Sequence, residues 1–238
     1  MGWTLPAGLR RKPDLWFSGT VSTIGGMHQG RTLRALIVDA HRGVFPLVNG
    51  GWERIAPWRA GLGAVIAFTG HAFLAVDEDV SDEELHRLAP GGYGGAHAPH
   101  VVQSLAGADG WIDSLDAVLV GGPQTHLPRS LVERRDLESH PRVQLARRLR
   151  DDVRVLGFSD PGISALVTVG RGLGGLLELG IETDGGVDAV AMIREASMAA
   201  PEDEPVVAAV APGNARALRT VLAAGFRPIA SVQLYQRS

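Results

Sequence analysis

The most regular pattern of apolar and polar residues lies in the last third of the chain. Residues 176–182 alternate between apolar and polar side chains, which predicts a half-buried strand, whereas residues 187–199 repeat apolar positions at helical spacing. Residues 206–210 are wholly apolar, as in a strand that is covered on both faces. Residues 215–224 are rich in helix formers, and residues 229–235 alternate again. The predicted order is strand, helix, strand, helix, strand.

The second of these predicted helices has recognisable ends. Asn214 is a favourable N-cap, and Gly225 supplies a left-handed stop before an Arg-Pro pair. The apolar strand 206–210, the Pro-Gly-Asn turn at 212–214 and the sequence LAAGFRP at 222–228 resemble the C-terminal half of the GNAT superfamily of N-acyltransferases. The resemblance is specific over this part of the chain and loose over the earlier part.

This resemblance implies an α/β fold with a mixed (α+β) sheet. Residues 135–238 are expected to form a GNAT-like acyltransferase domain, and residues 1–134 an N-terminal α/β region that contributes to the acceptor pocket. Residues 121–129, rich in glycine and proline, are a suitable boundary. In the family the fourth and fifth strands, here 176–182 and 206–210, separate, and the pantetheine arm of a thioester lies in the gap.

The rest of the chain contains further predicted elements. Strands are predicted at residues 33–39, 117–120, 153–158 and 164–169, and helices at residues 81–88 and 140–150. Residues 64–76 form either one buried strand or two strands bent at Gly70. Residues 90–100 are glycine-rich and predict a mobile loop near the acceptor. Residues 1–63 give no indication of chemistry.

The composition is that of an ordinary globular chain. Of 238 residues, 45% are hydrophobic and 21% charged, enough apolar sequence for a large core. The net charge of −3, with scattered basic residues, argues against nucleic acid as a partner. The absence of cysteine excludes disulfides, thiolate zinc sites and a cysteine nucleophile, and suits a reducing cytoplasm. Because neither a membrane-spanning apolar stretch nor a signal peptide is evident, a cytoplasmic protein without membrane contact is expected.

Two segments compete for the phosphate-binding loop that the resemblance implies. The sequence RGLG at 171–174 looks like that loop, but accepting it makes residues 176–181 helical and discards their strand alternation. We therefore interpret residues 170–175 as a hairpin turn. The loop then falls at residues 183–186, directly before the predicted helix.

The loop at this second position departs from the family pattern. Thr183, Gly185 and Gly186 are expected to contact the donor, but the arginine or glutamine of the family is missing. Asp184 and Asp188 place negative charge where a diphosphate lies, which opposes anion binding by about 1 kcal/mol per exposed contact. This predicts that a phosphopantetheine thioester on an acyl carrier protein is a better donor than acyl-CoA.

The resemblance also assigns residues to the pantetheine arm and to catalysis. Backbone amides of Leu179, Gly180 and Ile181 are expected to bind the arm and polarise the thioester carbonyl, with Asn214 nearby at the start of the last helix. The tyrosine that the family often uses as general acid is replaced by Val221. No metal is expected, because His97 and His100 have no third ligand in view.

Two glutamates are the first candidates for the general base. Glu178 and Glu182 lie on the strand face opposite the apolar residues, beside the expected cleft, and partial burial would raise the pKa of either carboxyl. The alternative is that both face solvent on a strand edge. His71 is the next candidate, although a buried histidine with a structural role is the favoured interpretation there.

Four arginines on the predicted helix 140–150 are candidates for binding a partner. Arg142, Arg147, Arg148 and Arg150 offer contacts to phosphates or to an acidic carrier protein, while the plainer interpretation is a solvated helix face.

The sequence therefore predicts an N-acyltransferase that moves an acyl group from a pantetheine thioester to an amine of a small molecule, plausibly in specialised metabolism. Two alternatives stay open. One is a conventional acetyl-CoA-dependent N-acetyltransferase, and the other is a non-catalytic member of the fold that binds a thioester or amine ligand.

Overall fold

A computed structural model describes residues 31–238 apart from Ala89, His126 and Asp184. The described residues build one ten-stranded sheet in the order β1-β3-β2-β10-β4-β9-β8-β7-β6-β5. The strands are β1 (Trp52–Ile55), β2 (Gly63–Phe68), β3 (His71–Ala75), β4 (Trp111–Gly121), β5 (Leu131–Glu133), β6 (Asp151–Phe158), β7 (Leu166–Arg171), β8 (Leu177–Glu182), β9 (Val206–Val210) and β10 (Arg227–Gln236). The α-helices are α1 (Leu33–His41), α2 (Asp82–Leu88), α3 (Pro99–Ala106), α4 (Pro141–Leu149), α5 (Ala189–Ala196) and α6 (Ala215–Ala223).

The C-terminal half of the sheet contains the predicted strands and helices in the predicted order. Strands β5 to β8 pair antiparallel in chain order. Strand β8 then pairs parallel with β9, and the helix α5 connects the two strands. Strand β9 coincides with the predicted strand, and α6 begins after the N-cap Asn214, whose side chain accepts from the amide of Ala217. Gly225 follows α6 with a φ of 99°, the left-handed conformation expected of it. The mixed α/β sheet is confirmed.

Strand β4 enters this half of the sheet from the earlier part of the chain. It lies between β9 and β10 and pairs antiparallel with both. The predicted strand at residues 117–120 is thus the end of an eleven-residue strand. The sheet therefore continues across the predicted boundary between residues 134 and 135, and that boundary stays a prediction.

The interpretation of residues 170–175 as a turn is confirmed, although Gly170 and Arg171 still belong to β7. A Cβ on Gly172 would lie 2.0 Å from Oε2 of Glu178, so only glycine leaves room for that carboxylate. Gly174 has a φ of 61° and lies against the backbone of α1. Gly172 and Gly174 thus serve close packing, and the turn contains only a short 3₁₀ helix, Leu173–Gly175, not the start of an α-helix.

Two predictions for the earlier part of the chain need correction, and a third, which left two alternatives open, is settled. Residues 33–39 are helical in α1, not a strand, because their buried positions recur at helical spacing: Leu33, Leu36, Ile37 and Ala40. The supposed loop 90–100 ends in a short 3₁₀ turn and in the start of α3, where Pro99 occupies the first turn, a position that proline tolerates. Residues 64–76 form two antiparallel strands that meet at Gly70, the second of the two alternatives.

Helices cover both faces of the sheet near β8. Leu177 and Leu179 pack with Met192 and Ile193 of α5, while the intervening Glu178 contacts the end of α4. Because successive strand side chains point to opposite faces, α4 and α5 lie on opposite sides of the sheet. In residues 31–238, as far as they are described, no helix is long and apolar enough to cross a membrane.

Candidate acyl-transfer cleft

The parallel strands β8 and β9 separate after two residues. Only the pairs Glu178–Val207 and Leu179–Ala208 are in register. Beyond them a cavity of about 250 Å³ opens between the strands. It is lined by Asp113, Ser114 and Asp116 of β4; Arg142, Leu145, Ala146 and Leu149 of α4, with Arg150; Glu178, Leu179, Gly180 and Ile181 of β8; Ile193 of α5; Ala208, Ala209 and Val210 of β9, with Ala211; Asn214, with Ala217 and Val221 of α6; and Leu234 of β10.

The cavity is lined by residues from both faces of the sheet. Its lining includes Arg142 and Leu149 from the α4 side and Ile193 and Val221 from the side of α5 and α6. A flat sheet with continuous pairing would keep these groups apart, because neighbouring strands lie only about 4.8 Å from each other. The divergence of β8 and β9 therefore places side chains from both faces around one cavity.

Glu178 lies in this cavity as the anchor of a buried polar network. Its Oε1 accepts hydrogen bonds from Nε and Nη2 of Arg150 at 2.9 and 2.6 Å, and its Oε2 accepts from the amide of Leu173 at 2.9 Å. Arg150 also donates to the hydroxyl of Thr168, which donates to the carbonyl of Gly180. The side chains of Arg150 and Glu178 are only 10% and 8% exposed. Both carboxylate oxygens are thus engaged within the chain, which leaves less capacity to accept a proton from a substrate.

The other two predicted bases are further from the reaction path. Glu182 ends β8 and is exposed, and it pairs with Arg142 at 3.2 Å. His71 begins β3 and is buried, with Nδ1 bonded to Asn49 and Nε2 3.2 Å from Glu53. Three strands separate β3 from β9, a distance of roughly 19 Å across the sheet. The structure does not bring His71 to the cavity; a role for Glu178 or Glu182 stays a prediction.

Strand β4 supplies carboxylates that the sequence analysis missed. Asp116 immediately precedes Ala117, which pairs with the last residue of β9, so its side chain stands where β9 ends and the cavity opens. The hydroxyl of Ser114 donates to Oδ1 of Asp116 at 2.9 Å. The neighbouring Asp113 also lines the cavity. The signal in the sequence was the pair of acidic residues directly before an apolar strand, but the partner of that strand is set by distant segments.

Burial tunes these two carboxyls toward a proton-accepting role. The pKa of Asp116 is raised to about 6, mainly by desolvation and to a smaller extent by the negative charges of Asp113 and Glu178, while the hydrogen bond from Ser114 and the charge of Arg142 oppose the shift. Desolvation also raises the pKa of Asp113. A base whose pKa lies just below neutral pH is ionised in the cell and can still hold a proton in a transition state.

The residues predicted to bind the donor fall into two groups. Leu179, Gly180, Ile181 and Asn214 line the cavity. Thr183, Gly185 and Gly186 form the connection between β8 and α5, where both glycines have positive φ, and they do not line it. Asp184 lies outside the described residues.

The N-terminus of α5 is already occupied by a carboxylate of the chain. Asp188 is the N-cap residue, and its Oδ1 accepts from the amides of Val190 and Ala191 at 3.0 Å each. The negative charge predicted at this helix start is present, and the carboxylate of Asp188 is hydrogen-bonded to two of the amides that would otherwise bind an anion.

The four arginines of the α4 segment all have partners in the chain. Arg142 pairs with Glu182, Arg147 with Glu138 and Arg150 with Glu178. Arg148 lies over the ring of Trp111, 4.0 Å from its centroid, and donates to Gln236. Contact of these arginines with a carrier protein stays a prediction.

Comparison with known proteins gives distant structural likeness only. No family model matches the sequence, and no curated protein sequence matches it. A protein from Novosphingobium aromaticivorans assigned to the GNAT family of acetyltransferases is 20% identical over 54% of this chain and 68% of its own, with a TM-score of 0.39. A Drosophila protein is 14% identical over 70% of this chain and 60% of its own, with a TM-score of 0.37.

Because both TM-scores are low, we assign the fold from the strand order and from the divergence of β8 and β9. Four antiparallel strands, a parallel fifth strand reached through one helix, and a cavity where the fourth and fifth strands part are the features that the resemblance implied. The C-terminal part of the chain has a GNAT-like fold, with a strand from the earlier part of the chain inserted into it.

Proposed function

We propose that this protein is an N-acyltransferase that moves an acyl group from a pantetheine thioester to an amine of a small molecule. The observation that carries the proposal is the cavity between β8 and β9, which is lined by residues from both faces of the sheet. A thioester entering from the α5 side and an amine entering from the α4 side would meet beside the backbone of Gly180. Holding both reactants in line supplies much of the rate acceleration in such a transfer.

The donor arm lies along β8 in this proposal. Residues 180–182 have no register partner on β9, so this edge of the strand can offer backbone groups to the amide groups of pantetheine. The amide groups of the strand would also stabilise the negative charge that develops on the thioester oxygen.

Asp116 is the proposed general base. The acceptor reacts as the neutral amine, after its ammonium proton has passed to water; its lone pair attacks the thioester carbonyl and forms a tetrahedral intermediate. Asp116 takes the extra proton from nitrogen, the C–S bond breaks, and the electron pair leaves with sulfur. The proton then passes to the thiolate, a downhill step because the pKa of a thiol is about 8.5. Among the residues that line the cavity only Ser114 carries a hydroxyl, so Asp116 serves both proton transfers without a phenol.

A carrier-bound phosphopantetheine is the proposed donor, because Asp188 occupies amides at the helix start to which a diphosphate would bind. Acyl-CoA is the alternative. The two donors are distinguished by kcat/KM for the same acyl group, and more efficient use of acyl-CoA would support the conventional enzyme.

A variant that fills the cleft tests the function itself. Ala211 lines the cavity, and Ala211→Phe should reduce acyl transfer at least tenfold with either donor, because the aromatic ring occupies the passage. Ala199 is exposed and does not line the cavity, so Ala199→Phe is the matched control. If the wild-type protein binds both donors but transfers no acyl group to any amine, the non-catalytic alternative is favoured.

A further inference from the structure

The α4 side of the cavity carries opposite charges on its walls. Asp113 and Asp116 of β4 line one part, and Arg142 of α4 lines another. Arg142 is close enough to Asp116 for its charge to act on that carboxyl. A site that presents both signs within a small volume is complementary to a ligand that carries both signs.

Arg142 has hydrogen-bond donors to spare. Its Nε donates to Glu182 at 3.2 Å, and within the described part of the chain its two terminal nitrogens make no hydrogen bond. The side chains of Arg142 and Glu182 are 35% and 50% exposed, and exposed ion pairs of this kind are weak. The planar guanidinium is therefore free to bind a carboxylate through two parallel N–H groups.

Arg150 cannot serve the same purpose. Three of its nitrogens donate to Glu178 and Thr168, and its side chain is only 10% exposed. Of the two arginines that line the cavity, Arg142 is thus the one available to a ligand.

The remaining wall on this side is apolar, and the space is small. Leu145, Leu149 and Leu234 line it without polar groups. The volume of about 250 Å³ equals roughly eight water molecules and must also admit the acyl end of the donor. A long or charged side chain on the acceptor does not suit such a wall.

Resting on the acyl transfer proposed above, we propose that the acceptor is a small amino acid with an uncharged side chain. Its carboxylate binds Arg142, its amino group lies at Asp113 and Asp116, and its side chain contacts the leucine wall. A phosphate of the donor is a poorer match for Arg142, because α4 and the start of α5 lie on opposite faces of the sheet. In an α-amino acid one carbon separates the two charged groups, which suits charges that face each other across a narrow cavity.

The experiment compares amino acids with their amides. Alanine, serine and valine are assayed beside alaninamide, serinamide and valinamide, which keep the amine and the side chain but lack the carboxylate. For the wild-type protein, kcat/KM should be about ten- to a hundredfold higher for the acids, the range expected of a paired charge-assisted contact. Arg142→Gln should lower the ratio of acid to amide by about the same factor, whatever its effect on the amides themselves, because loss of the nearby cation also changes the pKa of Asp116.

A matched control lies on the same helix. Arg147 pairs with Glu138 and does not line the cavity, so Arg147→Gln should keep the preference for the acids. Equal use of acids and amides by the wild-type protein would overturn the inference and leave the acyltransferase function standing. A loss in Arg142→Gln that appears as a higher KM for the donor would also overturn it, since the guanidinium would then bind the donor phosphate.

Binding measured without any donor separates the inference from the proposed function. Calorimetric titration with valine and with valinamide should show tighter binding of valine, lost in Arg142→Gln. If no acyl transfer is found but this binding difference is present, the proposed reaction fails while the amino acid site stands. Equal binding of the two compounds, or binding of neither, would overturn the amino acid site.

Discussion

Two carboxylates of the cavity, Asp116 and Glu178, have opposite environments. Glu178 is surrounded by donors, with Arg150 on one oxygen and the amide of Leu173 on the other. Asp116 is desolvated and accepts from a single hydroxyl, that of Ser114. A charge that is fully paired stabilises the fold, whereas one that is desolvated and incompletely paired weakens it. The two residues can therefore be distinguished by the sign of their effect on stability.

Asp116→Asn should inactivate the protein and stabilise it. The amide retains the hydrogen bond from Ser114 but cannot take a proton, so kcat should fall about a hundredfold or more. In the wild-type protein, kcat should rise as pH increases through about 6, because the pKa of Asp116 is raised to that value and the base must be ionised. A pH–rate profile for both proteins measures this effect, with Asp109→Asn, a change at an exposed position, as the control.

The stability effect has a definite sign. The pKa of Asp116 is higher in the folded chain than in the unfolded chain, so the folded state binds more protons between pH 4 and about 6. Its stability therefore falls as pH rises through that window, and above it Asp116→Asn should be more stable by on the order of 1 kcal/mol after allowance for solvent screening. Glu178→Gln should instead lose about 3 kcal/mol, because Arg150 keeps its charge without a partner. Denaturant unfolding at pH 4 and pH 7.5 distinguishes them; a destabilised Asp116→Asn at pH 7.5 contradicts the assignment.

Among the structural elements, α5 is the one that would discriminate between donors in the proposed reaction. Its N-terminus follows β8 through Gly185 and Gly186, and the amides of its first turn are bonded to Asp188. A carboxylate at this position accepts hydrogen bonds from the free amides of the first turn and repels a second anion. The capping interaction that stabilises the helix thus opposes the binding of a diphosphate. A single phosphate that binds further from Asp188 would be repelled less.

Removing that charge should shift donor preference. In Asp188→Asn the asparagine still caps the helix, but the negative charge is gone. The KM for acyl-CoA should fall about two- to fivefold, the size of one charge at an exposed helix terminus, and the KM for a carrier-bound donor should change less. Asp203→Asn, another exposed carboxylate, is the control. An equal change for both donors would show that Asp188 does not discriminate between them.

Elements with strong local signals could be predicted from the sequence. The alternation in β8, the apolar run in β9 and the capped helix α6 each express their structure within a few residues, and the structure confirms them. In α1 the short apolar sequence LRALIVD fits a strand and a helix equally well, because a run of this length matches either period. Packing decides between them, since the buried residues Leu33, Leu36, Ile37 and Ala40 share one helix face.

At the scale of the whole molecule, the insertion of β4 could not be predicted. Which strands become neighbours depends on contacts between residues far apart in sequence, and β4 precedes its neighbours β9 and β10 by about 90 residues or more. For the same reason Asp116 could not be recognised as a candidate base from the sequence: its position, its burial and its raised pKa arise only when β4 lies beside β9. Residues 178–181 were placed at the cleft correctly because the local strand and the family resemblance were sufficient.

The insertion of β4 leads to a test of the predicted domain boundary. A fragment of residues 135–238 contains β6 to β10 but lacks the strand that joins β9 to β10. Both strands would then expose unpaired backbone groups, and Val207 and Val232 would lose core neighbours such as Val118 and Val120. We expect this fragment to aggregate or to unfold without cooperativity in denaturant, whereas residues 31–238 unfold in a cooperative transition. Adding a separately produced fragment of residues 31–134 should restore part of the structure, measured by circular dichroism. Cooperative unfolding of the 135–238 fragment alone would show instead that the GNAT-like part is an independent domain and that β4 is an accessory strand.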